Sequence, residues 1–363
     1  MVRIALIGLG NRGLRTLERY GDLADSLIDI VALSDLSAES LAQGQRLLRL
    51  AHRHDAQEYC GEHAWREACQ RPDIDVVVVC TDWTSHVRMA CFAMEQQKDV
   101  VIEVPACTSL EECRQLIETS RTTGRHSYMA ENCCYDIFHL ASLAIVRQGL
   151  LGDVTHLEGS YVHTLGEHGD VKRQWMLNLM QHHGGNPYPT HAVGPMLQII
   201  EAASDGQDAP VSLVSATHPA GNDSLITTRQ GRTMLLSLDV RTPRPYSRSQ
   251  TICGTDGFIQ KYPVPTLQLR SMGKTLTGDA VLPEMLRLAG DDPLIRLWRE
   301  GQTKDVVNPM NYAMDIDMLR TYEEKHRFPR GASEAALWSG FGPLSEMSAT
   351  QGGRPVEISL EAQ

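Results

Sequence analysis

Residues 182–195 read HHGGNPYPTHAVGP, and within them Tyr188 and His191 could move protons. A phenol ordinarily titrates near ~10 and an imidazole near ~6.5, and a bound cation beside the phenol would bring the two closer. Gly194 and Pro195, followed by MLQIIEAA, read as a helix start with proline at its first position. His191 would then lie near the positive end of that helix, which disfavours imidazolium and leaves a neutral ring able to accept a proton. Pro189 restricts Tyr188 before it, so the loop would present both side chains stiffly. Two other readings stand beside this one. Five of the fourteen histidines lie at 163, 168, 182, 183 and 191, but there is no HExxH and the spacings match no compact zinc pattern, so no metal is expected. The stretch would also suit a surface loop with incidental histidines.

Further candidates sit where short apolar runs end. CTDWTSH carries Trp83 and His86, and IEVP carries Glu103. In HLEGSYVHTL, Tyr161 and His163 alternate onto one face of an expected strand.

The elements that must hold these residues fall into two patterns. In the first third, VRIALIG, IDIVALSD, IDVVVVCTD, DVVIEVP and HSYMA alternate with helical segments, the first from Leu14 to Ala24. Continuous Val/Ile runs between helices imply a parallel sheet covered on both faces. Ser109, followed by Glu111 and Glu112, is a helix start. The first turn, Gly8-Leu9-Gly10-Asn11-Arg12-Gly13, is a GxGxxG between strand and helix, where a pyrophosphate can approach the helix N-terminus. The second strand ends in Asp35, at the distance where an acid holds a ribose diol; its charge repels a 2′-phosphate, which favours NAD over NADP. Ligands of such sheets lie beyond the carboxyl ends of the strands, where Trp83, His86 and Glu103 fall. From about Cys133 the pattern changes. SLVSATH, SLITTR, TMLLSLDVR and SQTICGTDGFIQKY read as antiparallel strands, Asn311 to His326 as a helix, and the tail after Gly352 as frayed. The expected architecture is therefore α/β: an N-terminal doubly wound Rossmann domain over 1–130, and over 131–363 an α+β substrate domain with an open, largely antiparallel sheet.

The bulk numbers agree. A chain of 363 residues exceeds the usual single domain. A formal charge of −11 and the lack of a basic block argue against nucleic acid. Nine cysteines without a CxxC suggest a reduced, cytoplasmic protein, and no apolar run approaches a membrane span. The open sheet suggests a homo-oligomer that covers it.

GLGNRG, TDWTSH, EVP, ENCCY, EGSYVH, GGNPYPTHAVGP and TPRPYSR together resemble the Gfo/Idh/MocA oxidoreductase-like superfamily, and more narrowly glycoside hydrolase family 109, the NAD-dependent α-N-acetylgalactosaminidases. The resemblance runs from residue 8 to about 248, and GGNPYPTHAVGP is its most specific piece. It implies a redox-assisted hydrolysis of a small-molecule or oligosaccharide glycoside. Tightly held NAD+ takes a hydride from sugar carbon 3, a base removes the acidified proton on carbon 2, the aglycone leaves carbon 1, water adds, and the hydride returns. By motif, Gly8, Gly10, Asn11, Arg12, Gly13, Asp35, Trp83, Thr84, Ser85, His86, Glu103, Val104 and Asn132 would contact NAD. Tyr161, His163, Met176, Tyr188, Pro189, Thr190, His191 and Tyr246 would face the sugar, with His191, Tyr188 and Tyr246 catalytic.

Three departures stand out. Val104 lies where ordinary dehydrogenases of the superfamily carry a lysine that handles the hydroxyl proton; valine can neither donate nor accept one. Met176 follows Trp175 where the glycosidase pattern tends to carry arginine, and Asp82 replaces a common proline. The leading expectation is a redox-neutral glycosidase. The alternatives are a sugar or polyol dehydrogenase, a non-catalytic NAD-binding sensor, and a metal-dependent hydrolase.

Overall fold

A computed structural model describes residues 1–23, 26–164 and 174–360. Its first part alternates strictly: β1 (Val2–Ile7), α1 (Asn11–Gly21), β2 (Ile28–Asp35), α2 (Ala38–Leu50), β3 (Gln57–Cys60), α3 (Ala64–Gln70), β4 (Val76–Val79), α4 (His86–Glu95), β5 (Asp99–Ile102), α5 (Leu110–Thr123) and β6 (Ser127–Met129). All six strands run parallel, in the order β3-β2-β1-β4-β5-β6. The valines of β4 are buried on both faces, as a helix-covered parallel sheet requires. Ser109 caps α5 by accepting from Glu112 N–H at 3.1 Å, as its sequence position suggests. The order reverses between β1 and β4, and a crevice opens at their carboxyl ends.

Helix α6 (Ile137–Arg147), capped by Asp136, leads into β7 (Val154–Val162), α7 (Gln174–His182) and α8 (Thr190–Ala203). Then come β8 (Pro210–His218), β9 (Gly221–Thr228), β10 (Thr233–Asp239), β11 (Gln250–Gly254), β12 (Gly257–Gln260), β13 (Thr266–Leu269) and β14 (Thr275–Thr277). The chain closes with α9 (Val281–Ala289), α10 (Pro293–Thr303), α11 (Pro309–Lys325), α12 (Ala332–Thr350) and β15 (Val356–Glu357). The second sheet has the order β14-β13-β12-β11-β7-β10-β9-β8-β15 and is antiparallel except where β7 meets β10. Helix α8 packs on its inner face: a Cβ on Gly159 of β7 would meet Ala192 and Met196.

The two parts are bolted together. Arg19 of α1 holds Asp315 of α11 at 2.9 Å, and Ser339 of α12 accepts from Ala106 N–H at 3.1 Å.

Two expectations need correction. Helix α8 begins at Thr190, not at Gly194, and Pro195 lies inside it. Ala192 and Val193 N–H already bond back to Pro189 O, so the turn is formed before Pro195 arrives, and the proline forgoes only the bond its missing N–H would have made. Among the described residues the tail after Gly352 is not frayed: β15 pairs with β8, and Ile358 N–H donates to Val211 O at 3.0 Å. The residues Ala24 and His168 lie outside the described ones. No helix among the described residues is long and apolar enough to cross a membrane.

Candidate active site

The crevice is a cavity of about 770 Å³ that runs from the β1–α1 turn to β7. At one end the GxGxxG turn is built by steric necessity. Gly8 sits at φ +89°, and a Cβ on Gly13 would lie 1.8 Å from Gly8 O. Gly10 differs: a Cβ there would meet nothing within 4 Å. Its open side is a cradle that fits a pyrophosphate held against the α1 N-terminus. Asp35 accepts from Leu9 N–H at 2.6 Å and Ser37 N–H at 2.8 Å, which fixes its carboxylate at the cavity wall. These features fit NAD. A Gly10→Ala variant should therefore fold like the parent yet retain NAD at least about tenfold less tightly. Cofactor content after gel filtration, alongside circular dichroism, checks this; unchanged retention would place the pyrophosphate elsewhere.

Deeper in, Arg12 and Glu103 face each other at 3.7 Å, and Glu103 keeps the guanidinium charged. Val104 is buried against the cavity, so no proton acceptor stands at that position. Asp82 accepts from the Thr84 and Ser85 hydroxyls and so builds the turn that carries Trp83. His86 is fully buried; its ring nitrogens lie 2.9 Å from Pro105 O and 3.2 Å from Thr81 O, and burial lowers its pKa. It staples the two loops that flank the cavity.

The far end is aromatic. Tyr188 stacks on Trp83 at 5.3 Å, and Trp175 meets Trp83 edge-on at 5.4 Å. Two tyrosine–histidine couples converge here. Tyr161 OH lies 2.9 Å from His163 Nδ1, and Tyr188 OH lies 3.0 Å from His191 Nε2. The Tyr161 and Tyr188 rings are 5.1 Å apart. Burial raises both phenols well above their usual value.

His191 Nδ1 lies 2.7 Å from Glu131 Oε1, so Glu131, His191 and Tyr188 form one chain. Burial works against the imidazolium, but the Cys133 sulfur and the Glu131 carboxylate outweigh it and push His191 up to about 10. Burial likewise opposes the Glu131 charge, yet its carboxyl is held below the usual range, chiefly by His191 and also by Cys133 N–H. This corrects the expectation of a neutral ring. His191 does sit in the first turn of α8, but a carboxylate at 2.7 Å outweighs the fractional charge of a helix end.

The loop before α8 is clamped from behind by α12. Gly184 N–H donates to Glu346 Oε1 and Asn186 N–H to Ser345 Oγ, both at 2.8 Å, and Asn186 Oδ1 accepts from Tyr188 N–H. A Cβ on Gly185 would lie 2.3 Å from Glu346 N.

Gly8, Gly10, Asn11, Arg12 and Asp35 thus come to the cavity, as do Trp83, Ser85, His86, Glu103 and Val104. So do Tyr161, His163, Met176 and Tyr188. Seven expected residues do not line it. Gly13 packs beneath the turn, and Thr84 faces Asp82. Asn132 donates to Asn311 Oδ1 at 2.7 Å. Pro189 and Thr190 are buried at the α8 start. His191 reaches the cavity only through Tyr188, and Tyr246 stays at the rim, 44% exposed, its ring 5.2 Å from His163. Glu131 and Cys133, both within the quoted ENCCY, and Trp175 were given no role by the sequence. Glu131 lies two residues beyond the end of β6 and just before Asn132, and a carboxylate at the carboxyl end of a parallel strand was the signal that could have found it.

Residues 2–131 match the model for the oxidoreductase family with an NAD-binding Rossmann fold, which makes the first part an NAD-binding domain. Solved structures agree on the fold. An Azotobacter vinelandii inositol dehydrogenase homolog complexed with NAD+ superposes with TM-score 0.72 at 16% identity, covering 98% of this chain and 97% of that one. A Lactobacillus casei myo-inositol dehydrogenase gives 0.70 at 17%, covering 100% and 98%.

Residues 135–223 and 220–359 match the C-terminal domain of glycosyl hydrolase 109, and the chain belongs to that family of NAD-dependent glycosidases. A glycosyl hydrolase family 109 protein 2 of Phocaeicola vulgatus is 39% identical across 99% of this chain and 94% of its own length. An alpha-N-acetylgalactosaminidase of Bacteroides fragilis is 38% identical across 99% and 91%.

Proposed function

We propose that the enzyme hydrolyses glycosides of N-acetylgalactosamine or a closely related hexose by a redox-neutral route, with residues 1–130 holding the cofactor and 131–363 the sugar. The observation that carries this is the pair of tyrosine–histidine couples on one aromatic wall, in unlike electrostatic settings. The substrate class follows the name of the Bacteroides fragilis relative. Bound NAD+ supplies reversible hydride acceptance from carbon 3.

The protein's own part is proton handling. His191 carries a proton on each ring nitrogen: Nδ1–H donates to Glu131, and Nε2–H donates to Tyr188 Oη. The Tyr188 O–H is then free to donate into the cavity, toward the leaving-group oxygen on carbon 1. His191 replaces that proton, so this couple is the acid. Tyr161 donates to His163 Nδ1, and as its oxygen takes a proton from a sugar hydroxyl or from carbon 2 its own proton passes to His163 Nδ1; this couple is the base. Two couples of one kind, set apart by the Cys133 sulfur and Glu131 carboxylate beside only one of them, give acid and base side by side. Tyr246 at the rim closes over the sugar beside His163. Trp83 and Trp175 give the ring an apolar face to stack on.

The test uses the protein as isolated with α and β p-nitrophenyl glycosides, acetamido and plain, following nitrophenol and NADH absorbance together. The expected result is nitrophenol over many turnovers with no net NADH. NADH rising in step with substrate loss would mean a dehydrogenase. NAD bound with neither signal would favour a sensor.

A further inference from the structure

Beneath His191, outside the large cavity, lies a second cluster. Among the described residues, Glu131, Cys133 and His191 offer a carboxylate oxygen, a sulfur and a ring nitrogen that all lie within 4.8 Å of one another. Glu131 is 1% exposed, and its Oε2 has no hydrogen-bond partner. Cys133 and His191 also line a small void of about 20 Å³, room for one water or ion. We infer that Glu131, Cys133 and His191 form a binding site for one borderline-soft divalent cation of the zinc type, and that occupancy switches the enzyme off.

The donor set is chemically apt. Sulfur, imidazole and carboxylate are the ligands zinc takes, at tetrahedral positions about 3.5 Å apart, so closing the trio needs roughly an ångström of side-chain movement. Charge is apt as well. Without metal, two cations already stand against the Glu131 carboxylate and the Cys133 sulfur: His191, whose Nδ1 lies 2.7 Å from Glu131 Oε1, and Arg248, whose Nη1 lies 2.9 Å from Cys133 Sγ. One divalent ion supplies the same charge. Arg248 has somewhere to go, because Asp136 stands 3.9 Å from its Nη2. On binding, the imidazolium loses its Nδ1 proton and the thiol its Sγ proton, both to solvent; nitrogen, sulfur and carboxylate oxygen then bind the metal. The remaining ring proton stays on Nε2, fixed toward Tyr188. With Nδ1 on the metal, His191 can no longer hydrogen-bond Glu131 Oε1, which it otherwise meets at 2.7 Å, and the chain from Glu131 through His191 to Tyr188 is broken. Cation binding does not depend on the glycosidase reading; the loss of turnover does.

The experiment titrates Co²⁺ into the NAD-bound protein and reads the near-ultraviolet band that only a sulfur–cobalt bond produces. One band equivalent per chain is expected, displaced by Zn²⁺ and absent in Cys133→Ser, while Cys60→Ser, at an exposed cysteine far from the trio, keeps it. Activity should fall as the band grows and return with a chelator, and Cys133→Ser should need at least about tenfold more Zn²⁺ for the same occupancy. Absence of the band in the parent, or its survival in Cys133→Ser, overturns the inference. Should Cys133→Ser not fold, anomalous diffraction at the zinc edge from soaked parent crystals decides: a peak among Glu131, Cys133 and His191 supports the site, and a peak only elsewhere overturns it.

Discussion

Replacing His191 with alanine should lower kcat by about 10²–10⁴, the range a lost general acid–base group commonly costs, while NAD content stays that of the parent. The two halves follow from position. His191 touches Tyr188 Oη and Glu131 but does not line the cofactor cavity, so its loss strands the phenol's proton supply without opening the cradle. Tyr188→Phe should repeat the rate loss while leaving the Glu131–His191 pair intact, which separates a proton-transfer defect from a packing defect. Turnover in H191A equal to the parent's would end the acid assignment.

Glu131→Gln is the second large effect, and it should appear in two readouts. His191 is held up to about 10 against an ordinary 6.5, so its pairing stabilises the fold fully below 6.5 and that contribution is lost as pH rises through about 10. Glu131 is held below its ordinary 4.5, so its contribution is present above 4.5 and lost as pH falls through the lowered value. Between those limits, removing the carboxylate leaves a buried imidazolium without its partner, which costs about 3–5 kcal/mol. Urea unfolding at neutral pH measures it, and the deficit should shrink above pH 10, where His191 is neutral in the parent too. In the pH–rate profile the alkaline limb should move down, because burial, no longer opposed by that carboxylate, pulls the ring toward neutrality. An alkaline limb identical to the parent's would show that His191 does not supply the proton.

The same pair marks where a sequence stops being informative. Asp35 and the GxGxxG were legible because their chemistry is local: strand, turn, helix and acid follow one another within 35 residues, and the structure joins them by Leu9 N–H to Asp35. Tyr161 with His163 was legible by alternation along one strand. The state of His191 was not, because its carboxylate comes from a residue 60 positions earlier. The local cue, a helix start, pointed to a neutral ring; the distant one reversed it. Helix α12 went unseen for another reason. Buried along most of its length and rich in Ala, Ser and Gly, it shows no polar face to reveal its period. The hairpin of β13 and β14 went unseen too: its strands span four and three residues, too short for alternation to stand out.

That helix bears on how the enzyme is made. The loop carrying Tyr188 is pinned by Ser345, 159 residues beyond Asn186. On the ribosome the six parallel strands and their cofactor turn are complete by Met129 and can close while synthesis continues. Tyr188 cannot be fixed until α12 has emerged and docked. A nascent chain halted before residue 345 would therefore carry the cofactor turn while the loop of Tyr188 still lacked its anchor.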